Sequence, residues 1–236
     1  FLSIGIEGGE FLLLPFCYGV AALNLSKINL KEDKKKQAEK NILEEVFAGL
    51  KVLKESPTVR SAMLNLVLLY SLLAALYVLT ISLASHIDSL GPTRFGTLLA
   101  TSGLGLAIGA IVIGQTGHYF DRKKLAATGL GLITFSLILL GQLKGSLILT
   151  LIICAVLGIS AALVAIPAQT TLQEDTPESQ RGKVFGLQNN LINISLSLPL
   201  ILAGAFVSRY GLLPVLWALA VLSLLAALLE FPWKRC

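Results

Sequence analysis

Charge is scarce in this 236-residue chain: Asp, Glu, Lys and Arg make up 14% of it, against roughly 25% in an ordinary soluble domain. Only two histidines and three cysteines are present. No Ser-His-Asp, Cys-His or HExxH constellation can be assembled from them, and no CxxC or zinc-ligand spacing occurs, so neither an enzyme nor a bound metal or cofactor is expected. Cys17 and Cys154 lie inside apolar runs and Cys236 is the last residue, which excludes a disulfide framework. The apolar runs have no heptad or triplet period, and the polar tracts are too short to dominate, which excludes coiled-coil, collagen and disordered chains. The first apolar run has no initiating Met, basic n-region or small-residue cleavage site before it, so it does not read as a signal peptide.

Apolar sequence is what remains. Hydrophobic residues are 55% of the chain and its mean hydropathy is +0.78. Seven stretches of about 19 to 25 residues each match the length a helix needs to cross roughly 30 Å of hydrocarbon. They are expected near Phe11 to Leu30, Ser61 to Ser85, Phe95 to Gly117, Leu125 to Leu143, Ser146 to Ala168, Val184 to Val207 and Gly211 to Phe231. The predicted fold class is therefore all-α, a polytopic membrane protein. Phe1 to Gly5 reads as the end of an earlier span, followed by the polar turn Glu7, Gly8, Gly9 and Glu10, so the chain is expected to begin mid-protein.

Orientation follows from the basic residues, which resist translocation and collect on the cytoplasmic side. Sixteen of nineteen Lys and Arg fall in the segments on one side, and the other side holds Arg94, Lys144 and Arg209. This predicts that the 26–60 loop and the C-terminus are cytoplasmic, in a bacterial plasma membrane. The Lys31 to Lys40 cluster is interleaved with Glu32, Asp33 and Glu39, which argues for a solvated loop and against nucleic acid. Within that loop, Ile42, Leu43, Val46, Phe47, Leu50 and Leu53 mark one apolar helix face ending before Ser56 and Pro57. The helix is expected to lie at the membrane surface, with its apolar face dipping in and Lys51 and Lys54 among headgroups. The organisation is then a last helix of one bundle over 1–30, a linker over 31–60 and a six-helix bundle over 61–236.

At the end of the third span the chain reads Gly117-His118-Tyr119-Phe120-Asp121-Arg122-Lys123-Lys124, a glycine four residues before an acidic-basic pair. This resembles the signature loop of the major facilitator superfamily, although the family pattern has a glycine where Lys124 stands. Three further stretches are similar to that superfamily: Gly49-Leu50-Lys51 through Ser56-Pro57-Thr58-Val59-Arg60, Ile166-Pro167-Ala168-Gln169, and Thr176-Pro177-Glu178 through Arg181-Gly182-Lys183-Val184-Phe185-Gly186. Together they resemble its drug-efflux and siderophore-export branch, in the order of helices six to twelve of a twelve-helix transporter.

The resemblance implies a secondary transporter exporting a small amphipathic compound by alternating access, with proton antiport as its energy source. It also implies an N-terminal half ahead of this chain as partner, besides membrane lipids and the small-molecule substrate. Gly117, Asp121, Arg122 and Arg181 become candidates for a conformational switch, Asp121 and Arg181 facing elements of the other half. Physically, opposite charges in a short loop can favour one of two packings. Three alternatives stay open: a lipid or lysophospholipid flippase on the same fold, a non-transporting membrane scaffold, and pairing of six helices with a second copy.

Hardly any charge lies inside the spans, where an ionisable residue would mark function. A titrating carboxylate is therefore expected in the other half. Glu230, beside Pro232, Trp233 and Lys234, suggests interface anchoring, and His86 a water-exposed outer end. Uncharged polar residues in hydrocarbon need a partner or water. On the sixth span Gly186, Asn189, Asn190, Asn193, Ser197 and Gly204 form one stripe expected to face inward. On the second, Tyr70, Tyr77, Thr80 and Ala84 form another, with aromatic faces suited to a lipophilic or cationic guest. Tyr70, Tyr77, Asn189, Asn190 and Asn193 are the candidate substrate contacts. Gly105 and Gly109, a GxxxG pair, with Gly103, Gly114, Gly117, Gly129 and Gly131, are expected to pack helices closely.

Overall fold

The computed structural model describes residues 9–26, 42–85, 87, 95–143 and 146–231. Apolar runs in which every backbone group must be satisfied internally become helices, and the described elements are all helical. They are α1 (Gly9–Ser26), α2 (Ile42–Glu55), α3 (Pro57–Ser85), α4 (Gly96–Thr116), α5 (Arg122–Gln142), α6 (Leu147–Asp175), α7 (Glu178–Tyr210) and α8 (Leu212–Glu230), with a 3-10 turn at Gly117–Tyr119. Among the described residues, α3 to α8 are the six helices long and apolar enough to cross a membrane. All six expected spans after the linker are present, several of them longer than the apolar run alone. The first expected span is described as α1 only as far as Ser26, and its residues 27–30 lie outside the described residues.

The chain divides into two compact units, Phe1–Lys40 and Asn41–Cys236. In the first, α1 contains Pro15, and Asn24 Nδ2 donates to the Val20 carbonyl at 2.8 Å.

In the second unit, α6 is the hub, packing on α4, α5 and α3. Helix α3 also packs on α7, and α5 on α8. The larger core joins Leu69, Leu72, Leu79, Leu130, Leu137, Leu157 and Val164 among others. The α4–α6 contact is close because glycines on each helix face backbone or small residues of the other: a Cβ on Gly158 would lie 2.6 Å from the Leu106 amide nitrogen and closer still to the Ser102 carbonyl oxygen. A Cβ on Gly105 would meet the Ala155 carbonyl carbon at 2.8 Å, and one on Gly109 the Ala162 Cβ at 2.8 Å. Gly129 makes the same approach from α5 to Ser160. Gly103, Gly114 and Gly131 have nothing within 4 Å of such a Cβ, so the glycine stripe divides into packing and open positions.

The C-terminal part of α2 packs on the bundle, while Leu50 of its expected apolar face is exposed and the side chains of Ile42, Leu43, Val46 and Phe47 lie outside the described residues. Val52 and Leu53 are buried in a second core with Val59, Ala62, Met63, Leu66, Ala168, Leu172, Val184 and Leu187. A Cβ on Gly49 would meet Leu187 and the Lys183 carbonyl at 3.1 Å. Val52 and Leu53 are covered by α3 and α7, while Lys51 and Lys54 are exposed. Ser56 makes the junction: Val59 N–H donates to its Oγ at 3.5 Å, and Pro57 takes the first helical position, where its missing N–H is no loss.

Candidate functional site: an apolar cavity, an asparagine face and a charged end

Between α3, α4, α5, α6 and α8 lies a cavity of about 180 Å³ with almost wholly apolar walls. Leu69, Leu72, Leu76 and Leu79 supply the α3 side, and small residues on α4 and α6, Ser102, Gly103, Cys154 and Ala161, leave the room. Tyr77, one of the sequence-predicted contacts, lines it while 46% exposed, its ring set edge-on to Phe95 with centroids 6.2 Å apart. Thr80 lines it too, although its hydroxyl is committed to the Tyr77 carbonyl at 2.6 Å. Tyr70 is elsewhere, packed against the second core. Seven residues of helix separate the two tyrosines by about 10 Å at 1.5 Å per residue, so one helix face serves two different environments.

The asparagine stripe is not turned into the bundle. Asn189, Asn190, Asn193 and Ser197 are exposed, whereas Val184, Leu187, Gln188, Ser195 and Ala203 are the buried residues of α7. At 100° per residue the stripe is roughly 180° around the helix from that buried face. The reason is that α7 touches few neighbours, chiefly α3 and α2, and only 11% of its apolar window is buried against 50% for α6. An outward row of asparagines on a membrane-crossing helix is costly against lipid and needs water or another polar surface. The asparagines and Tyr77 are therefore not gathered into one pocket within this unit.

At the end of the bundle that carries Arg122 and Arg181, the candidate switch residues are organised by capping. Asp121 is the N-cap of α5 and accepts from the Lys123 N–H at 2.9 Å. Arg122 is ion-paired with Glu174 in the last turn of α6, and its Nη1 reaches Thr171 Oγ1 at 3.5 Å. Arg181 Nε donates to the Thr176 carbonyl at 3.3 Å, and its Nη1 pairs with Glu178 at 3.5 Å. Gly117 begins the turn into the loop in ordinary right-handed backbone, and a Cβ there would lie 2.9 Å from Ile113 Cγ2. Three of the four thus belong to two helix starts, Asp121 and Arg122 at α5 and Arg181 at α7, on either side of the end of α6, while Gly117 closes α4.

Asn65, Glu174, Asp175 and Gln188 escaped the sequence reading. Asp121, Arg122, Asn65, Asp175 and Glu230 line a polar recess of about 380 Å³, where the Ser61 hydroxyl donates to the Glu230 carboxylate. Glu230 is therefore part of the charged end. Gln188 Nε2 donates to Gln169 Oε1 at 2.7 Å, joining α7 to α6. Glu174 and Gln169 could have been suspected as polar residues following an apolar run, but their partners are set by helix packing. His86 lies outside the described residues, and no group of His, Cys, Asp and Glu among the described residues could hold a metal ion.

Similarity to known proteins agrees with this architecture. The chain is 27% identical to the macrolide efflux protein A of Streptococcus pyogenes over 108 residues, covering 45% of this chain and 27% of that protein. It is 28% identical to the multidrug efflux pump Tap of Mycolicibacterium fortuitum over 134 residues, 57% of this chain and 32% of Tap. An uncharacterized MFS-type transporter of Mycobacterium bovis is 24% identical over 171 residues, 71% of this chain and 38% of that protein. The matches thus span well under half the length of these relatives. No solved structure matches the chain. The family model that matches covers residues 62–235, from the second turn of α3 past the end of α8. With six membrane-crossing helices, the signature loop and that match in hand, the protein is an integral multi-pass membrane protein and belongs to the Major Facilitator Superfamily.

Proposed function

We propose that this chain forms the C-terminal half of a secondary transporter that exports a small amphipathic compound by alternating access, driven by proton antiport. The observation that carries the proposal is the outward asparagine face of α7. A polar stripe directed away from its own bundle, on a helix of membrane-crossing length, fits a water-filled passage bordered by a second bundle. Tyr77 and the apolar cavity would receive the lipophilic part of the substrate, and Asn189, Asn190 and Asn193 would meet its polar part. The Asp121, Arg122 and Arg181 end is the cytoplasmic one in this reading, by the distribution of basic residues. Arg122 and Glu174 tie α5 to α6 there, so breaking that pair is a natural step in rocking the bundle. The efflux pumps among its relatives support export.

The test is transport by the whole protein in inside-out membrane vesicles. An imposed inside-acid gradient should drive uptake of the neutral lipophilic dye Nile red, and a protonophore should abolish it. Uptake that ignores the gradient refutes proton coupling. Movement of a fluorescent lysophospholipid in place of the dye would favour a flippase.

A further inference from the structure

We infer that the cavity between α3, α4, α5, α6 and α8 takes a neutral, ring-sized apolar group and excludes the charged and hydrogen-bonding parts of its ligand. This deepens the proposed transport function and takes its physiological meaning from that reading, although binding itself does not depend on flux. The volume is about 180 Å³, slightly larger than the roughly 150 Å³ apolar cavity that stays dry and takes benzene or xenon. One aromatic ring fits; a whole lipid chain does not.

The walls decide the charge. No ionisable carboxylate, amine or guanidinium lines the cavity. Of its three hydroxyls, two donate to their own helices, Thr80 Oγ1 to the Tyr77 carbonyl at 2.6 Å and Ser102 Oγ to the Leu98 carbonyl at 3.1 Å, and the third belongs to Tyr77, a side chain that is half exposed. An ammonium or carboxylate entering would lose its water and meet no opposite charge in the lining, which costs more than the single Tyr77 ring can offset. A neutral ring would lose little and would meet Leu72, Leu76, Ile133 and Leu157. The cavity is reachable because Gly103, which lines it, is exposed and has nothing within 4 Å of where a Cβ would stand.

That open glycine supplies the test. The full chain is placed in lipid nanodiscs and treated with N-ethylmaleimide, and labelling of Cys154 is followed by peptide mass spectrometry with Cys17 and Cys236 as internal references. Toluene at twice its dissociation constant should slow Cys154 labelling about threefold, since the free fraction falls as 1 + [L]/Kd. Benzylammonium and benzoate at the same concentration should leave it unchanged. Gly103→Phe should slow labelling by itself and remove any further effect of toluene. Equal protection by the charged rings overturns the inference, as does a toluene effect that survives Gly103→Phe. So does a Cys154 that becomes reactive only when lipid is stripped away, which would make an acyl chain the occupant. If Cys154 does not react at all, phenyl-trifluoromethyl-diazirine replaces the maleimide: photoinsertion should fall in α3, α4 and α6 peptides and be competed by toluene, and insertion elsewhere overturns the inference. Protection without Nile red transport would sink the transport reading and leave this one standing; transport without protection would do the reverse.

Discussion

Substituting Gly158 by Ala tests the α4–α6 contact on which the cavity depends. The added Cβ would sit 2.6 Å from the Leu106 amide nitrogen and nearer still to the Ser102 carbonyl oxygen, both backbone atoms of a neighbouring helix that no rotamer change can move. The helices would have to part by on the order of 1 Å, and overpacking of this kind costs typically 1–3 kcal/mol. Because the obstruction is backbone on both counts, the upper part of that range, about 3 kcal/mol, is expected. With roughly 2–4 °C of melting temperature per kcal/mol for a chain of this size, the drop should be about 6–12 °C. Gly114→Ala and Gly131→Ala add a Cβ into open space and gain up to about 1 kcal/mol of helix propensity, so they should be neutral or slightly stabilising. Thermal unfolding of the detergent-solubilised protein, followed by circular dichroism, measures all three. A Gly158→Ala protein melting within 1–2 °C of the parent, on the roughly 2–4 °C per kcal/mol scale above, would refute the reasoning. Equal loss in Gly114→Ala would refute it as well.

Thr134 and Ser223 share a buried hydrogen bond of 2.8 Å between α5 and α8; Thr134→Val, Ser223→Ala and the double variant should show a coupling of roughly 0.6 kcal/mol, up to about 1.7, in a double-mutant cycle of unfolding. Leu53→Ala removes a buried contact of α2 with the bundle, and limited proteolysis should then cut within α2 faster than in the parent while α3 to α8 stay protected. Arg122→Gln breaks an ion pair whose partners are about half exposed. Its melting temperature should fall by no more than a surface pair allows, on the order of 1 kcal/mol or less, while gradient-driven Nile red uptake should drop severalfold if the pair is part of the switch. A transport rate equal to the parent's would assign the pair to orientation alone.

The sequence made the spans legible because hydrocarbon admits few alternatives: a long apolar run with no water to satisfy its backbone must be helical. Ends were harder. Helix α6 runs to Asp175 and α7 starts at Glu178, well beyond the apolar run, where side-chain contacts such as Arg181 with Thr176 and Arg122 with Glu174 hold the polar turns. Which glycines pack was not readable from the GxxxG spacing alone. Gly105 and Gly109 do so only because Ala155, Ile159 and Ala162 of α6 lie opposite, and Gly103, two residues away, faces open space. The asparagine stripe could be read as one face, but its direction depends on which neighbours α7 has, and those are α3 and α2 on the opposite side. The apolar cavity left almost no trace in the sequence, since it is the gap between five helices whose individual faces all look like ordinary membrane packing.

Water access to the asparagine face is the most direct test of the account. In a chain with Cys17, Cys154 and Cys236 replaced by Ser, a charged, membrane-impermeant methanethiosulfonate is applied to single-cysteine variants in native membranes. Asn193→Cys, on the exposed stripe of α7, should label readily, and Val221→Cys, exposed among apolar neighbours on α8, should not. An unreactive Asn193→Cys beside an equally unreactive Val221→Cys would place both faces in lipid and contradict a transporter built around that stripe.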